Sequence, residues 1–248
     1  LHEPYRRQRQ MCIRDRVELT RLHGEENRIW VNLEDMSPYM KNAFISIEDE
    51  RFMKHHGVDW IRLVGVIVKR SNSGQGGSTI TQQLIKNLTD ENEVTIVRKF
   101  NEILSALNIE KNYSKDEIIE AYLNTIYLSE GCYGVKTASE KYFGKDVSDL
   151  NAAECAAIAS ITQYPSKYDP LRHPENNRKR QLRVLDKMLE NGALTQEEYN
   201  EAVNYEMVFT NSENYQGSQV SDSQSSANEN RIDSYYVCLL YTSPSPRD

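Results

Sequence analysis

The sequence predicts a mainly α-helical domain, and two kinds of observation support this class. Apolar residues recur at spacings of three and four through most of the chain between residues 32 and 207, which is the spacing of one helix face. Ser114 and Thr195 each precede such a stretch, and a glutamate follows each of them three residues later. These capping boxes are typical of helix N-termini, so several separate helices are expected.

The first predicted helix begins after Ser37, with Pro38 at its first position, an arrangement favoured at helix N-termini. Its apolar face is formed by Met40, Ala43, Phe44 and Ile47. Glu48 follows directly, where the helix is expected to leave the core. The dense apolar stretch from Trp60 to Val68 predicts a second helix, and the serine- and glycine-rich residues 71–77 predict a loop.

Further helices are predicted from their apolar stripes. After Ser78 the stripe is formed by Ile80, Leu84 and Leu88. In the next helix the residues expected to face the core are Val97, Phe100, Leu104 and Leu107. Ser114 opens another helix, the alanine-rich residues 151–161 predict a buried one, and Thr195 opens the last.

Composition divides the chain into a domain and its flanks. Residues 17–210 are expected to form the domain, and residues 211–230 are too polar to bury a core, which predicts a linker. Residues 231–248 are interpreted as the start of a truncated following region with a non-native tail. Residues 1–16 and 238–248 resemble translated sequencing adapter and are expected to be non-native. For residues 1–16, the alternative is a basic arm that binds anionic lipid.

Charge and composition exclude some functions. The net charge of −7 argues against nucleic-acid binding as the main role, although a local basic pocket is compatible with it. No apolar run approaches the roughly 18 residues that a membrane span needs. The four cysteines have no metal-type spacing and are interpreted as free or buried thiols, so no metal site is predicted.

Two carboxylates and several cations suggest the chemistry. Glu48 could take a proton from an attacking hydroxyl, while cations near Glu102 hold a phosphate leaving group. A glycine-rich loop that runs into a helix N-terminus suits anions because its free backbone N–H groups point outward. The candidate ligands there are Ser78, Thr79, Gln83 and Lys86.

Plainer interpretations of the same residues stay open. Glu48 fits a solvated helix end, and the loop fits a flexible approach to a capped surface helix. Arg98 and Glu102 fit an i,i+4 ion pair worth about 0.3–0.5 kcal/mol.

The motifs resemble the peptidoglycan glycosyltransferase domain of class A penicillin-binding proteins, glycosyltransferase family 51. Residues 48–57 read Glu-Asp-x-x-Phe-x-x-His-x-Gly, residues 76–83 read Gly-Gly-Ser-Thr-Ile-Thr-Gln-Gln, and residues 98–102 read Arg-Lys-x-x-Glu. Two further blocks follow, at residues 115–134 and 180–188. The departures from the family pattern are Ile119 for leucine, Ser129 for a glycine of a tight turn, and Gln181 for an arginine.

The resemblance implies a lysozyme-like helical fold and a role for each motif residue. Glu48 would be the general base, supported by Asp49. Glu102 would be the second catalytic carboxylate and would act with Lys86, Arg98 and Lys99 on the donor pyrophosphate. The implied substrate-binding set is Asp49, Ser78, Thr79, Gln83, Lys86, Asn87, Arg98, Lys99, Tyr122 and Asn124. His55 and Arg180 are interpreted as structural.

The implied reaction is polymerisation of lipid II into β-1,4-linked glycan, with inversion at the anomeric carbon and release of undecaprenyl pyrophosphate. It would take place on the extracytoplasmic face of a bacterial membrane, with the anchor missing from this fragment. The implied partners are lipid II, the growing glycan, the membrane surface and other cell-wall synthesis proteins, but no nucleic acid. No cofactor is certain; a Mg²⁺ or Mn²⁺ ion accompanying the pyrophosphate is the one considered.

Two rival functions and one structural alternative stay open. A lysozyme-like glycoside hydrolase or lytic transglycosylase would also need a carboxylate in a helical domain, but it has no pyrophosphate to hold. The cations at positions 86, 98 and 99 therefore favour the transferase. A non-catalytic cell-wall scaffold is the second rival. The helix from Trp60 to Val68 either touches the membrane beside Lys69-Arg70 or packs in the core.

Overall fold

The computed structural model describes residues 29–69, 77–89 and 95–215, and all structural statements below concern these ranges. They contain isolated β-bridges but no strand, so the predicted mainly helical class is confirmed. The α-helices are α1 Pro38–Glu48, α2 Trp60–Lys69, α3 Ile80–Thr89, α4 Ile96–Asn112, α5 Lys115–Thr125, α6 Val135–Phe143, α7 Ala152–Ala159, α8 Pro174–Glu190 and α9 Gln196–Asn204. Short 3₁₀ turns lie at Leu33–Asp35, Phe52–Lys54 and Val147–Asp149.

The helices pack in two groups. In the first group α1 packs on α7 and α8, and α9 covers α7 and α8. In the second group α3 packs on α4 and α5. Helix α6 contacts both α5 and α7 and so joins the groups. Helix α1 ends at Glu48, and the next residues contact α3, so the end of α1 lies where the two groups meet.

The local helix signals correspond to the helix starts in the structure. Capping boxes with both reciprocal hydrogen bonds open α5 at Ser114, α7 at Asn151 and α9 at Thr195. Ser37 precedes Pro38 as expected, but its hydroxyl donates to the Leu150 carbonyl at 2.6 Å instead of capping α1. This bond attaches the start of α1 to the segment that leads into α7.

A glycine allows the loop before α2 to approach α4. Gly57 has φ +84°, and a Cβ there would lie 2.6 Å from the Ala106 carbonyl oxygen. The Gly57 carbonyl accepts a 2.6 Å hydrogen bond from the Thr79 hydroxyl, just before α3 begins. Any larger residue would combine a left-handed backbone with a main-chain clash, so this motif glycine holds three segments together.

The prediction for the apolar face of α4 is wrong in part. Val97, Phe100 and Leu104 were expected in the core, but their exposed fractions are 70%, 60% and 46%. Leu107, which is half-buried, does pack against the core. Helix α2 likewise exposes Trp60, Ile61 and Val64. No helix among the described residues is both long and apolar enough to cross a membrane.

The turn after α5 forms although a serine replaces the usual glycine. Ser129 and Glu130 both have positive φ, 68° and 49°, a conformation that costs a non-glycine residue about 1–2 kcal/mol. The Ser129 hydroxyl donates to Asp169 Oδ2 at 2.9 Å, and its carbonyl accepts from Cys132 N at 2.8 Å. These contacts offset the backbone strain, so the tight turn forms with serine in place of glycine.

The first residues of the predicted linker lie against the domain. Asn211 donates to the Leu171 carbonyl, and the Tyr215 side chain lies against Gly144, so residues 211–215 contact the domain. The described residues do not include residues 1–16, 216–230 or 231–248. The predictions for these segments therefore lie outside the structure.

Asp59 fixes the start of α2. Its Oδ1 accepts from Arg62 N at 3.0 Å, and the Arg51 guanidinium donates to both carboxylate oxygens at 2.7 and 2.8 Å. Burial raises the pKa of Asp59, but the Arg62 N–H and the Arg51 guanidinium lower it more, and the net pKa lies below the ordinary value.

We expect Asp59→Asn to lower the unfolding free energy by about 1–2 kcal/mol at neutral pH. A depressed carboxyl pKa stabilises the fold above the unfolded value of about 3.9, and this stabilisation is lost as the pH falls through the folded-state value. The difference from wild type should therefore shrink below about pH 4, measured by urea unfolding. Asp116→Asn, which removes an exposed ion pair with Lys41, is the control and should cost under about 0.5 kcal/mol. A difference in unfolding free energy that stays constant at all pH values would contradict the lowered pKa of Asp59.

Candidate active site

Glu48 lies between the two helix groups with its carboxylate partly open to solvent. Its side chain is 16% exposed. From the first group, the Thr162 hydroxyl donates to Oε1 at 2.5 Å, and Arg180 Nη2 lies 3.9 Å from the same oxygen. From the second group, Gln83 Nε2 donates to Oε2 at 3.1 Å. The carboxylate is therefore held by fixed donors and is neither sealed in the core nor free on the surface.

A buried tyrosine orients the Gln83 amide. Tyr122 is fully buried, and its hydroxyl donates to Gln83 Oε1 at 3.0 Å, which leaves the amide nitrogen to face Glu48. Burial, followed by the negative charges of Glu48 and Asp49, raises the pKa of Tyr122 well above its ordinary value. The phenol therefore stays protonated and keeps its donor role at neutral pH.

Arg180 supplies a positive charge on the α8 side of Glu48. Its Nε donates to the Ser160 carbonyl at 3.1 Å, and its guanidinium lies over the Tyr168 ring at 5.3 Å from the ring centre. Burial lowers its pKa, while the Glu48 carboxylate raises it; an arginine remains cationic after such a shift. Its sequence-based assignment as structural is thus incomplete, because it also faces the candidate base.

Asp49 is buried and serves the backbone. Its Oδ2 accepts from Ile80 N at 3.0 Å, at the first residue of α3, and lies 2.9 Å from His55 Nε2. The side chain has no exposed surface. Asp49 therefore cannot reach a substrate directly, which corrects its place in the predicted substrate-binding set; its support of Glu48 is through the position of α3. His55 is structural, as predicted.

The second carboxylate lies in a cluster of cations at the start of α3. Lys99 Nζ lies 2.5 Å from Glu102 Oε1 and donates to Ser78 Oγ at 2.9 Å, while Arg98 Nη1 lies 3.6 Å from Glu102 Oε2. The Glu102 side chain is 6% exposed, whereas Lys99 is 37% exposed. The exposed part of this cluster is therefore cationic, and Glu102 holds Lys99 and Arg98 from the buried side.

Lys86 and Asn87 share the helix face of Gln83. They follow Gln83 by three and four residues in α3, the spacing of neighbours on one helix surface. Lys86 is exposed and Asn87 is half-buried. Lys86 lies six residues beyond Ile80, about 9 Å along the helix axis. Along α3, Lys99 therefore lies near the start and Lys86 near the last turn, and Gln83, which contacts Glu48, lies between these two positions.

Besides Asp49, the fully buried Tyr122 leaves the predicted substrate-binding set, since it acts only through Gln83. Two more residues of the set serve the fold instead. Thr79 is fully buried, with its hydroxyl bonded to the Gly57 carbonyl. The Asn124 side chain is buried; its amide oxygen accepts from Val31 N, and its amide nitrogen donates to the Val31 and Glu120 carbonyls. Both were assigned to substrate binding because a sequence motif does not distinguish residues that line a site from residues that support it.

No group of three or more His, Cys, Asp or Glu side chains that could hold a metal ion occurs among the described residues. Cys132 and Cys155 are free and buried, as expected for structural thiols. Burial raises their pKa values to about 11 and about 12.

Comparison with known proteins decides the family. A sequence model described as transglycosylase matches residues 15–189, more than two thirds of the chain. The chain belongs to the transglycosylase family. The family predicted from the motifs is thereby confirmed.

This transglycosylase chain is also similar to individual penicillin-binding proteins. It is 48% identical over 190 residues to penicillin-binding protein 1A of Clostridium botulinum strain Langeland, covering 72% of this chain and 23% of that protein. It is 42% identical over 195 residues to penicillin-binding protein 1A of Aquifex aeolicus, covering 77% and 27%. The chain thus spans about a quarter of the length of these relatives.

Among solved structures, penicillin-binding protein 1A from Haemophilus influenzae matches with 25% identity and a TM-score of 0.48, covering 75% of this chain and 19% of that one.

Sequence reasoning missed two side chains that touch the candidate base of this transglycosylase. Thr162 lies outside every motif block, 114 residues from Glu48. Arg62, in α2, donates to the Glu48 main-chain carbonyl at 2.7 Å. A charged residue within the otherwise apolar face of α2 was a signal for Arg62; no sequence signal marks Thr162.

Asp49→Asn should lower the unfolding free energy by about 1–2 kcal/mol, because two hydrogen bonds to an ionised carboxylate become bonds to a neutral amide. Thermal and urea unfolding measure this change. Glu50→Gln, at the exposed next position, is the matched control and should leave stability within about 0.5 kcal/mol of wild type. Equal stability of the two variants would contradict a supporting role for Asp49.

Proposed function

We propose that this chain is a peptidoglycan glycosyltransferase domain that polymerises lipid II into β-1,4-linked glycan. The acceptor sugar hydroxyl attacks the anomeric carbon of the donor, the configuration at that carbon inverts, and undecaprenyl pyrophosphate leaves. Glu48 is the general base that takes the hydroxyl proton. The reaction takes place at the extracytoplasmic face of a bacterial cell membrane, where other cell-wall synthesis proteins are the expected partners.

One observation carries this proposal: a partly exposed carboxylate contacts Gln83 of α3, the helix that carries Lys86 and whose start contacts Lys99. Glu48 is held by Thr162 and Gln83 in one orientation, as a base that must meet a substrate hydroxyl requires. Lys99 and Lys86 lie toward opposite ends of α3. This layout suits a reaction in which a proton leaves one sugar while a pyrophosphate leaves another.

The cations stabilise the leaving group. Pyrophosphate carries several negative charges, and Lys86, Arg98 and Lys99 offset them as the glycosidic bond breaks. Glu102 orients Lys99 and Arg98 through its two ion pairs. Ser78, which accepts a hydrogen bond from Lys99, adds a hydroxyl at the start of α3, and Asn87 adds an amide next to Lys86. A Mg²⁺ or Mn²⁺ ion would enter with the pyrophosphate as part of the substrate.

A glycoside hydrolase or lytic transglycosylase is the rival function. It would use a carboxylic acid to protonate a glycosidic oxygen, and it has no need for cations arranged around a phosphate. The pairing of Glu102 with Lys99 and Arg98 favours the transferase, since it presents cations rather than a second free carboxylate. A non-catalytic scaffold would need neither an oriented Glu48 nor these cations.

Exposed apolar side chains support contact with a membrane surface. Helix α2 exposes Trp60, Ile61 and Val64, and helix α4 exposes Ile96, Val97 and Phe100. Large exposed apolar residues grouped on helices typically mark a binding surface, and a lipid substrate must be reached in its bilayer. We therefore assign these residues to membrane contact, the first of the two alternatives considered for the α2 segment.

Glu48→Gln should abolish glycan synthesis, because an amide cannot take the proton of the acceptor hydroxyl. A lipid-linked disaccharide donor and gel analysis of the glycan products measure the activity of wild type and variant. Glu50→Gln, at the exposed position two residues on, should keep full activity. Unchanged synthesis by Glu48→Gln would overturn the proposal, as would cleavage of finished glycan by wild type without any synthesis.

The double variant Ile61→Ser, Val97→Ser should bind neutral phosphatidylcholine vesicles at least about tenfold more weakly, because each exposed apolar side chain contributes roughly 1–2 kcal/mol when lipid buries it. Co-sedimentation with vesicles measures the partition. The control is Tyr127→Ser, Tyr164→Ser, which removes two exposed aromatics outside α2 and α4 and should bind like wild type. Equally weakened vesicle binding in both double variants would contradict the assignment of Ile61 and Val97 to membrane contact.

A further inference from the structure

Among the described residues, Thr162 makes the shortest hydrogen bond to the Glu48 carboxylate, and its hydroxyl has a choice of two acceptors. We infer that Thr162 is a positioning residue for the base: its hydroxyl holds Glu48 while the carboxylate is ionised and turns to a main-chain carbonyl when Glu48 takes a proton. This inference rests on the proposed role of Glu48. It adds a residue from the turn after α7, outside the motif blocks, to the groups that hold the Glu48 side chain.

The geometry gives both positions of the hydroxyl. Thr162 Oγ1 lies 2.5 Å from Glu48 Oε1 and 2.9 Å from the carbonyl oxygen of Ala159. A threonine hydroxyl carries one proton, so it makes one full hydrogen bond as donor at a time. Rotation about the Cβ–Oγ1 bond exchanges one acceptor for the other without any movement of the backbone.

The charge of Glu48 decides which acceptor is used. An ionised carboxylate accepts the stronger, charge-assisted bond, so the hydroxyl faces Glu48 before reaction. When the acceptor-sugar proton has moved to Glu48, that bond weakens and the Ala159 carbonyl becomes the better acceptor. The proton of Thr162 stays on Oγ1 throughout, and the transferred proton stays on Glu48. Neither state leaves the hydroxyl without an acceptor, which limits the free-energy cost of protonating the base.

The other groups around Glu48 do not provide such an exchange. Gln83 Nε2 donates to Oε2 and is fixed by Tyr122, whose raised pKa keeps it neutral. Arg180 faces Oε1 from α8 as a permanent cation. Other charged or titratable groups near Glu48 are Arg62 of α2, which donates to its main-chain carbonyl, and Asp49 with its partner His55. On the α8 side, Tyr168 lies against Arg180, and the charge of Arg183 also acts on Arg180.

The test uses three variants at position 162. Thr162→Val keeps the shape and removes the hydroxyl, Thr162→Ala removes it without crowding, and Thr162→Ser restores it. Thr89→Val is the matched control, since it removes a hydroxyl that donates to the Ile85 carbonyl in α3. Two readouts are followed: the pH dependence of kcat for glycan synthesis, and the titration of the Glu48 carboxyl by ¹³C NMR in protein labelled at glutamate. Glu48→Gln identifies the signal.

Without the hydroxyl, the ionised form of Glu48 loses a donor, so the Glu48 titration and the acid limb of kcat should both move up by about one pH unit. Thr162→Ser and Thr89→Val should match wild type within a few tenths of a unit. A shift in the titration without a shift in kcat would uphold the contact but overturn Glu48 as the base, and with it the proposed function. No shift in either readout would overturn the inference and leave the proposed function standing.

Discussion

A buried carboxylate ties the two halves of the site together. Asp49 follows the last residue of α1 and accepts a hydrogen bond from the first residue of α3, Ile80. This contact fixes where α3 starts relative to the end of α1. Gln83, one turn along α3, then meets Glu48, and Ser78, just before α3, meets Lys99. This interior contact therefore positions the side chains of α3 relative to the candidate base and the cations.

The features that the sequence predicted well are those decided within a few residues. The capping boxes at Ser114 and Thr195 open helices because the side chain and the N–H groups that it accepts from lie in one turn. Gly57 could be recognised within its motif, and a left-handed backbone position explains why glycine is needed there. The order and identity of the motif blocks also led to the family, although the site joins distant blocks, such as Glu48 of the first and Arg180 of the last.

The features that sequence reasoning missed depend on what packs across from a residue. The stripe of Val97 and Phe100 has helical spacing, but spacing does not reveal whether another helix covers it, and in α4 none of the described elements does so fully. Asn124 and Thr79 look like site residues because they belong to motif blocks, yet their side chains satisfy backbone groups. Thr162 approaches Glu48 through tertiary packing alone.

The bond from Arg62 to the Glu48 carbonyl has a mechanical consequence. Arg62 belongs to α2, the helix whose exposed side chains Trp60 and Ile61 we assign to lipid contact. A tilt of α2 as it settles into a bilayer would pull on the last turn of α1 through a single hydrogen bond. The position of α2 and the orientation of the Glu48 carboxylate are therefore coupled through the end of α1.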